Sequence, residues 1–440
     1  MHKVKPLRSL APIQRLLGSE LLRTTALAFV VRALGAVAAL IMTLIVARTL
    51  PVEESGLFFL GLAIVTFLAT VGMLGLNSTQ LRFIGAHHAD QDWPTINAVV
   101  RLALRWAGAS LALLSIALYL AAPWLSDAVF DKPALGPVLA AYAPGILLLG
   151  LVLLTAHQLQ AIRRTTQSIV LLSIALPLGL GTTLLLIGAE TARTAALFYS
   201  SIAAAVAILG ALWWRRARPS SARGSVDARL LWASCFPLWI VTLMGQATQW
   251  SGQFIAGLWV PAAELAHLAV AQRTAMLVSF ILIAVNLVVA PRFAALYAQQ
   301  RHAELERLAL RAVRLMTLFA LPPVAAIVLF PEWILAWFGE SYRAGAPLLV
   351  ILAIGQFVNV MTGSVGYLLS MSGHERDLRN VVLLSGPLAI GAALVLTPLF
   401  GVTGAAVATA LAVASQNLLA VYRVRQRLGF NTLAIWRLAH

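Results

Sequence analysis

The sequence predicts an all-α, polytopic membrane protein of twelve spans in two six-helix halves. Three observations predict it: an excess of apolar residues, an alternation of basic and uncharged breaks, and an internal repeat at a spacing of 210 residues. Of 440 residues, 60% are hydrophobic and 11% charged, and the mean hydropathy is +0.88. A soluble chain carries about a quarter charged residues, and polar surface must still cover its core. In a bilayer each crossing helix needs about 20 mostly apolar residues, and its backbone must be satisfied within the helix.

Twelve such stretches lie at 24–47, 57–79, 103–121, 135–157, 168–188, 194–214, 231–257, 266–290, 312–330, 345–370, 381–398 and 402–422. An even number puts both termini on one side. With that side inside, 26 Lys and Arg fall in cytoplasmic segments and only Arg48, Lys132, Arg193 and Arg343 outside. The bias fixes an orientation with cytoplasmic termini. The net charge of +16 therefore reflects topology and anionic headgroups, not nucleic acid. The basic start, MHKVKPLRSLAPIQRLLGSELLR, lacks the apolar core and cleavage site of a signal peptide and reads as a cytoplasmic tail on the membrane surface. The break at 122–134 is the longest outer loop, and 331–347 carries Trp333, Trp337 and Tyr342 as an interfacial aromatic belt would. The segment 294–315 reads as a charged amphipathic helix entering the ninth span.

A shift of 210 residues superposes Pro51-x-x-Glu54 on Pro261-x-x-Glu264, Arg82-Phe83 on Arg292-Phe293, and Arg101 on Arg311. Pro, Glu and Arg are scarce enough here for that register to argue duplication of a six-helix unit. Six is even, so the copies run parallel. The basic segment RRARPSSARGSVDAR joins them. The predicted divisions are a cytoplasmic basic tail (1–23), an N-lobe (24–214), a cytoplasmic linker (215–230), a C-lobe (231–422) and a cytoplasmic tail (423–440).

Polar residues inside spans carry the functional signal, because hydrocarbon makes them costly. Arg32 sits about eight residues into the first span, roughly 12 Å deep, with Ala28, Phe29, Gly35 and Ala36 around it. Arg273 lies at similar depth in the eighth span, from the opposite side. Each arginine either lines a cavity or snorkels to its nearer headgroup layer. In the seventh span Thr242, Gln246, Gln249 and Gln253 share one helix face, beside Trp239 and Trp250. Such a stripe offers donors and acceptors to a hydroxyl-rich cargo, or serves as interhelical glue. Gln356, Asn359, Asn286 and the His157-Gln158 pair are weaker candidates of the same kind. All sixteen Asp and Glu lie in loops, tails or helix ends; Glu54 and Glu264, at the outer mouths of the second and eighth spans, come nearest a path. A path with arginines and no mid-depth carboxylate suits an anion.

The lone Cys235 reads as a packing residue. The histidines are scattered, with His87-His88 in a loop, so no metal or other cofactor is expected. No phosphate-binding loop of the G-x-x-x-x-G-K-S/T type and no catalytic constellation occurs, which argues against an ATP-driven pump or an enzyme.

ESGLFFLGLAIVTFLATVGMLGLNSTQLRFI (54–84), WFGESYRAGAPLLVILAIGQFVN (337–359) and GVTGAAVATALAVASQNLLAVYRVRQRLG (401–429) resemble the O-antigen-type polysaccharide, lipid-linked oligosaccharide flippases of the multidrug/oligosaccharidyl-lipid/polysaccharide (MOP) exporter superfamily. The resemblance implies a MATE-like fold: two parallel-repeat six-helix lobes around a central cavity that opens alternately to each side of the bacterial inner membrane. It implies a cargo of undecaprenyl-pyrophosphate-linked oligosaccharide moved to the outer leaflet, with Arg32 and Arg273 as the cationic cavity positions. Thr242, Gln246, Gln249, Gln253 and Trp250 join them as candidate substrate contacts, and Glu54 and Glu264 as candidates for ion coupling. Partners would be the lipid-linked glycan, membrane lipids and polysaccharide polymerase or assembly proteins. Two other functions fit the same residues: export of a small molecule, and non-transporting scaffolding of a polysaccharide assembly complex.

Overall fold

The computed structural model describes residues 11–219 and 224–434, and every regular element among them is helical. Ten helices are long and apolar enough to cross a bilayer. One of them, Glu375–Leu428, is two spans joined at Gly401, whose φ of 59° and ψ of −142° break the helix three residues after Pro398. Only glycine adopts that backbone without strain. Ala228–Trp259 adds a further helix of 32 residues, so the architecture is consistent with twelve crossings.

The spans are Ala11–Thr49, Val52–Gly72, Trp93–Trp124, Leu135–Ala161, Thr165–Ile187 and Ala192–Ala217, then Ala228–Trp259, Ala262–Leu282, His302–Leu329, Ala346–Thr362 and the two limbs of Glu375–Leu428. They are called the first to twelfth spans below. Contacts sort them into two bundles. The fourth span packs on the second, third and sixth, and the first on the fifth; the seventh packs on the eleventh–twelfth hairpin, and the tenth on the eighth, ninth and that hairpin. The bundles meet where the second span crosses the seventh and eighth, and where the first crosses the eighth.

The repeat is visible in the backbone. Pro51 (φ −54°, ψ 152°) and Pro261 (φ −55°, ψ 152°) open the second and eighth spans with the same dihedrals. In the same register, Arg163 (φ 64°) and Gly373 (φ 75°) both turn left-handed after the fourth and tenth spans. Below, "linker face" means the end of the bundle where Gly224 and Gly429 lie, and "far face" the opposite end.

Several sequence expectations are corrected. The first helix begins by Ala11, not 24, leaving residues 1–10 of the expected tail outside the described residues, as are 220–223 of the linker and 435–440 of the last tail. The second span stops at Gly72, because Leu74 (φ 54°) and Gly75 (φ 75°) break the helix before a separate one, Leu76–Ala89. That helix, not a loop, carries His87 and His88. The expected loop 122–134 shrinks because the third span runs on through a π-turn, Leu125–Val129. The expected amphipathic helix 294–315 is split: one helix ends at Ala298, the next starts at His302, and Gln300 takes a φ of 57° between them. Trp333 and Trp337 are exposed, with rings 5.0 Å apart, as an interfacial belt requires. Tyr342 is instead buried against His267. Cys235 is buried.

Candidate functional site

Between the bundles lie two adjoining cavities of about 400 and 410 Å³. Their walls share Ala39, Met42, Leu172, Pro177, Trp250 and Arg273, so they lie side by side, and Arg273 borders both. Arg32 lines one of them beside Gly35, Ala36 and Phe280. Thr66, Tyr199, Gln246 and Phe254 line the other. Neither wall contains an Asp or Glu among the described residues. None of the four ion pairs among the described residues involves either arginine.

Arg273 is fixed by aromatic rings. Its guanidinium carbon lies 4.4 Å from the centre of the Phe59 ring and 5.8 Å from that of Trp250. One nitrogen donates to the Ala269 carbonyl one turn back, at 3.2 Å. A guanidinium stacked on a ring face keeps its charge while its edge donors stay free for a second ligand. Phe59 is itself fully buried, edge-on to Phe58, which touches Tyr142. The stack therefore rests on a rigid aromatic layer.

Arg32 is exposed to the cavity side of the first span. The small neighbours foreseen there do two jobs. Ala36 leaves room at the wall, and Gly35 lets the first span press onto Ser173, where a β-carbon would overlap the serine. Ser173 sits in a π-turn, Val170–Ile174, within the fifth span. Such turns re-aim side chains and recur at functional sites; this one directs Leu171 and Leu172 into the wall.

The seventh-span stripe is divided by the structure. Gln246 lines the cavity and donates to Thr70 Oγ1 at 3.4 Å. Gln253 is fully buried and donates to the Phe59 carbonyl at 3.1 Å, joining the bundles. The Gln249 carbonyl accepts from Gln272 Nε2 at 2.8 Å, while Thr242 turns back on its own helix to the Leu238 carbonyl. Thr242, Gln249 and Gln253 are not in the cavity walls. The cavity face is Gln246, Trp250 and Phe254, spaced every four residues, so the wall runs beside the polar stripe. Phe254 meets Phe67 edge-on in this wall, their ring centres 5.3 Å apart. Sequence reasoning missed Phe59, Phe67, Tyr199 and Phe254, whose apolar types do not stand out among so many others.

Glu54 and Glu264 stay outside the walls. Glu54 Oε2 accepts the Ala192 N–H at 2.6 Å, capping the sixth span, where a carboxylate meets the positive end of the helix dipole. Gln356 and Asn359 both bond Ser279 Oγ and tie the tenth span to the 3-10 turn of the eighth. His157 bonds the Leu153 carbonyl, and Gln158 and Asn286 are buried away from the cavity.

On the far face the bundles are bridged by backbone acceptors. Arg48 donates to the Trp337 carbonyl at 2.7 Å, and Lys132 to the Gly257 and Phe130 carbonyls at 2.8 and 3.1 Å. Lys132 lies between spans, and burial holds its pKa below 10.5 against the opposing pull of Asp131. The unfolded chain thus keeps this proton to higher pH than the folded one, and stability rises with pH between the two values. Lys132→Met is expected to lower the thermal midpoint and to abolish that alkaline rise. An unchanged midpoint and pH profile would show that the bridge holds nothing together.

The family model described as "Polysaccharide biosynthesis protein" matches residues 21–297, well over half of the chain. The chain belongs to that family. A second family model, MatE, matches residues 237–384. No curated protein sequence matches the chain. Among solved structures, an inward-facing multidrug resistance MATE transporter of the MOP superfamily is 16% identical, with a TM-score of 0.70, covering 94% of this chain and 100% of its own. The lipid II flippase MurJ, in an inward closed conformation, is 13% identical, with a TM-score of 0.70, covering 92% of this chain and 87% of its own. A MOP-superfamily transporter from Pyrococcus furiosus, whose binding pocket is described as reversed in polarity, is 14% identical, with a TM-score of 0.66 and coverages of 95% and 96%. This member of the family therefore has the MOP fold, the fold of membrane transporters and flippases.

Proposed function

We propose that the chain is an alternating-access flippase that moves a pyrophosphate-linked, polyprenyl-anchored oligosaccharide from the cytoplasmic to the outer leaflet. One observation carries this reading: the two intramembrane arginines line one space between the lobes, with no carboxylate in its wall among the described residues. A pyrophosphate offers oxygens to two guanidinium forks at once. Trp250 presents a flat apolar ring to a sugar, and Gln246 an amide to its hydroxyls. In this reading the lobes, 24–214 and 231–422, rock about the linker 215–230, and the linker face is cytoplasmic. The match to the polysaccharide biosynthesis family supports the cargo class.

The test is transport by purified protein in vesicles. Labelled lipid-linked oligosaccharide placed in one leaflet is expected to become accessible from the other, and free monosaccharide is not. The MatE match over 237–384 favours a second reading, export of a small molecule on the same architecture. Movement of an organic anion with no movement of the lipid-linked sugar would select it and reject the first.

A further inference from the structure

The linker face of the C-lobe holds a second basic site, remote from the cavity. It is a groove of about 500 Å³ between the end of the helix at Ala298 and the start of the ninth span, lined by Arg292, Arg301, Arg307 and Arg311 with a single carboxylate, Glu304. That carboxylate is taken: Arg301 grips it with two bonds, Nε to Oε1 at 2.7 Å and an Nη to Oε2 at 2.6 Å. Arg292, Arg307 and Arg311 are exposed and remain in excess.

The repeat supplies a comparison within the same molecule. In the 210-residue register, Arg311 corresponds to Arg101, Arg292 to Arg82 and Glu304 to Pro94. In the N-lobe that place is filled by the linker. Gly224 packs so closely on Pro94 that a β-carbon would overlap the proline carbonyl, and Arg101 donates to the Gly224 carbonyl at 3.1 Å. The chain thus provides its own oxygen for this arginine position in one lobe. In the other the groove is open, and two further arginines, Arg301 and Arg307, stand where the N-lobe has Gln91 and Asn97. The N-lobe groove receives one neutral carbonyl; the C-lobe groove has the charge for a phosphoryl group.

Its depth names the source. One turn past Arg311 the ninth span becomes an exposed apolar surface of Leu315, Leu318 and Phe319, which in a bilayer faces acyl chains. The arginines therefore sit at headgroup level with hydrocarbon directly beyond. We propose that this groove binds the phosphoryl headgroup of an anionic membrane lipid, its acyl chains lying along the ninth span. The proposal is independent of the cavity reading, since it uses none of the cavity residues.

Delipidated full-length protein is titrated with phosphatidylglycerol or phosphatidylcholine in mixed micelles while the thermal midpoint is followed. Phosphatidylglycerol should raise the midpoint of the native protein, and Arg292→Gln with Arg311→Gln should weaken its apparent affinity by about thirtyfold. Arg163→Gln with Arg164→Gln removes the same charge from the same face and should leave it unchanged. Equal weakening by both pairs, or by neither, overturns the site. A full shift from inorganic phosphate alone at equal concentration overturns the lipid as its source. Should the double variant not be monodisperse, Arg307→Gln is read in the same way, with a weaker but distinct loss expected.

Discussion

Alanine at position 273 is expected to slow translocation of a lipid-linked oligosaccharide between about tenfold and a hundredfold. A charge-assisted hydrogen bond to a phosphate oxygen contributes roughly 1.5–3 kcal/mol, and each 1.4 kcal/mol is tenfold. The guanidinium is held over Phe59, 4.4 Å from its centre, so little ordering remains to be done when the anion arrives. Lysine at 273 keeps a charge but loses the planar fork and the stack, and its rate should fall between native and alanine. Arg32→Ala should act in the same direction and less strongly, because Arg32 is exposed, whereas the aromatic stacking among the described residues is on Arg273. If both arginines hold one pyrophosphate, the double variant will lose less than the product of the single losses, as neighbours sharing a ligand do. Native rates from Arg273→Ala at normal membrane levels would remove the arginine from the transport path altogether.

The second large effect is expected at Gly56. The second and eighth spans cross there so closely that a β-carbon would overlap the Ala262 carbonyl and press on the Ala266 nitrogen. Both are backbone atoms of the other lobe, and no side-chain rotation relieves the clash. Gly56→Val therefore has to part the lobes at the far face or fail there, and overpacking of this kind costs about 1–3 kcal/mol. Spin labels on the far-face ends of the second and eighth spans should show a wider separation, and transport should be lost because that end no longer closes. Glycines that lack such a neighbour, such as Gly391, with nothing within 4 Å of its β-position, should accept alanine silently. An unchanged label distance with full transport in Gly56→Val would show that the crossing is not part of the cycle.

Much of this was legible beforehand because it is written in one-dimensional patterns. Hydrocarbon demands about 20 apolar residues per crossing, so the span positions could be read directly, including the break between 381–398 and 402–422, where the structure bends at Gly401. The repeat was legible for a different reason: Pro51 and Pro261 must open a helix in a fixed conformation, and both do. Helix ends were less legible. Polar residues at the membrane surface satisfy a helix as well as a loop, so the third span and the helix carrying His87 and His88 ran on where loops were expected.

The sequence by itself determined the membrane fold and the two intramembrane arginines, which follow from the cost of polarity in hydrocarbon, and the duplicated halves, which follow from the repeated Pro, Glu and Arg register. Tertiary structure alone decided what those side chains face. Both arginines line the space between lobes, whereas of the seventh-span stripe only Gln246 does, and Gln253 ties the lobes together instead. Spacings of 4, 3 and 4 hold the stripe within about 60° of one helix face, and the wall of Gln246, Trp250 and Phe254 is centred about 70° further round, so Gln246 alone lies on their shared edge. Which lobe the stripe meets at each level depends on how the two bundles cross, and no local pattern encodes that.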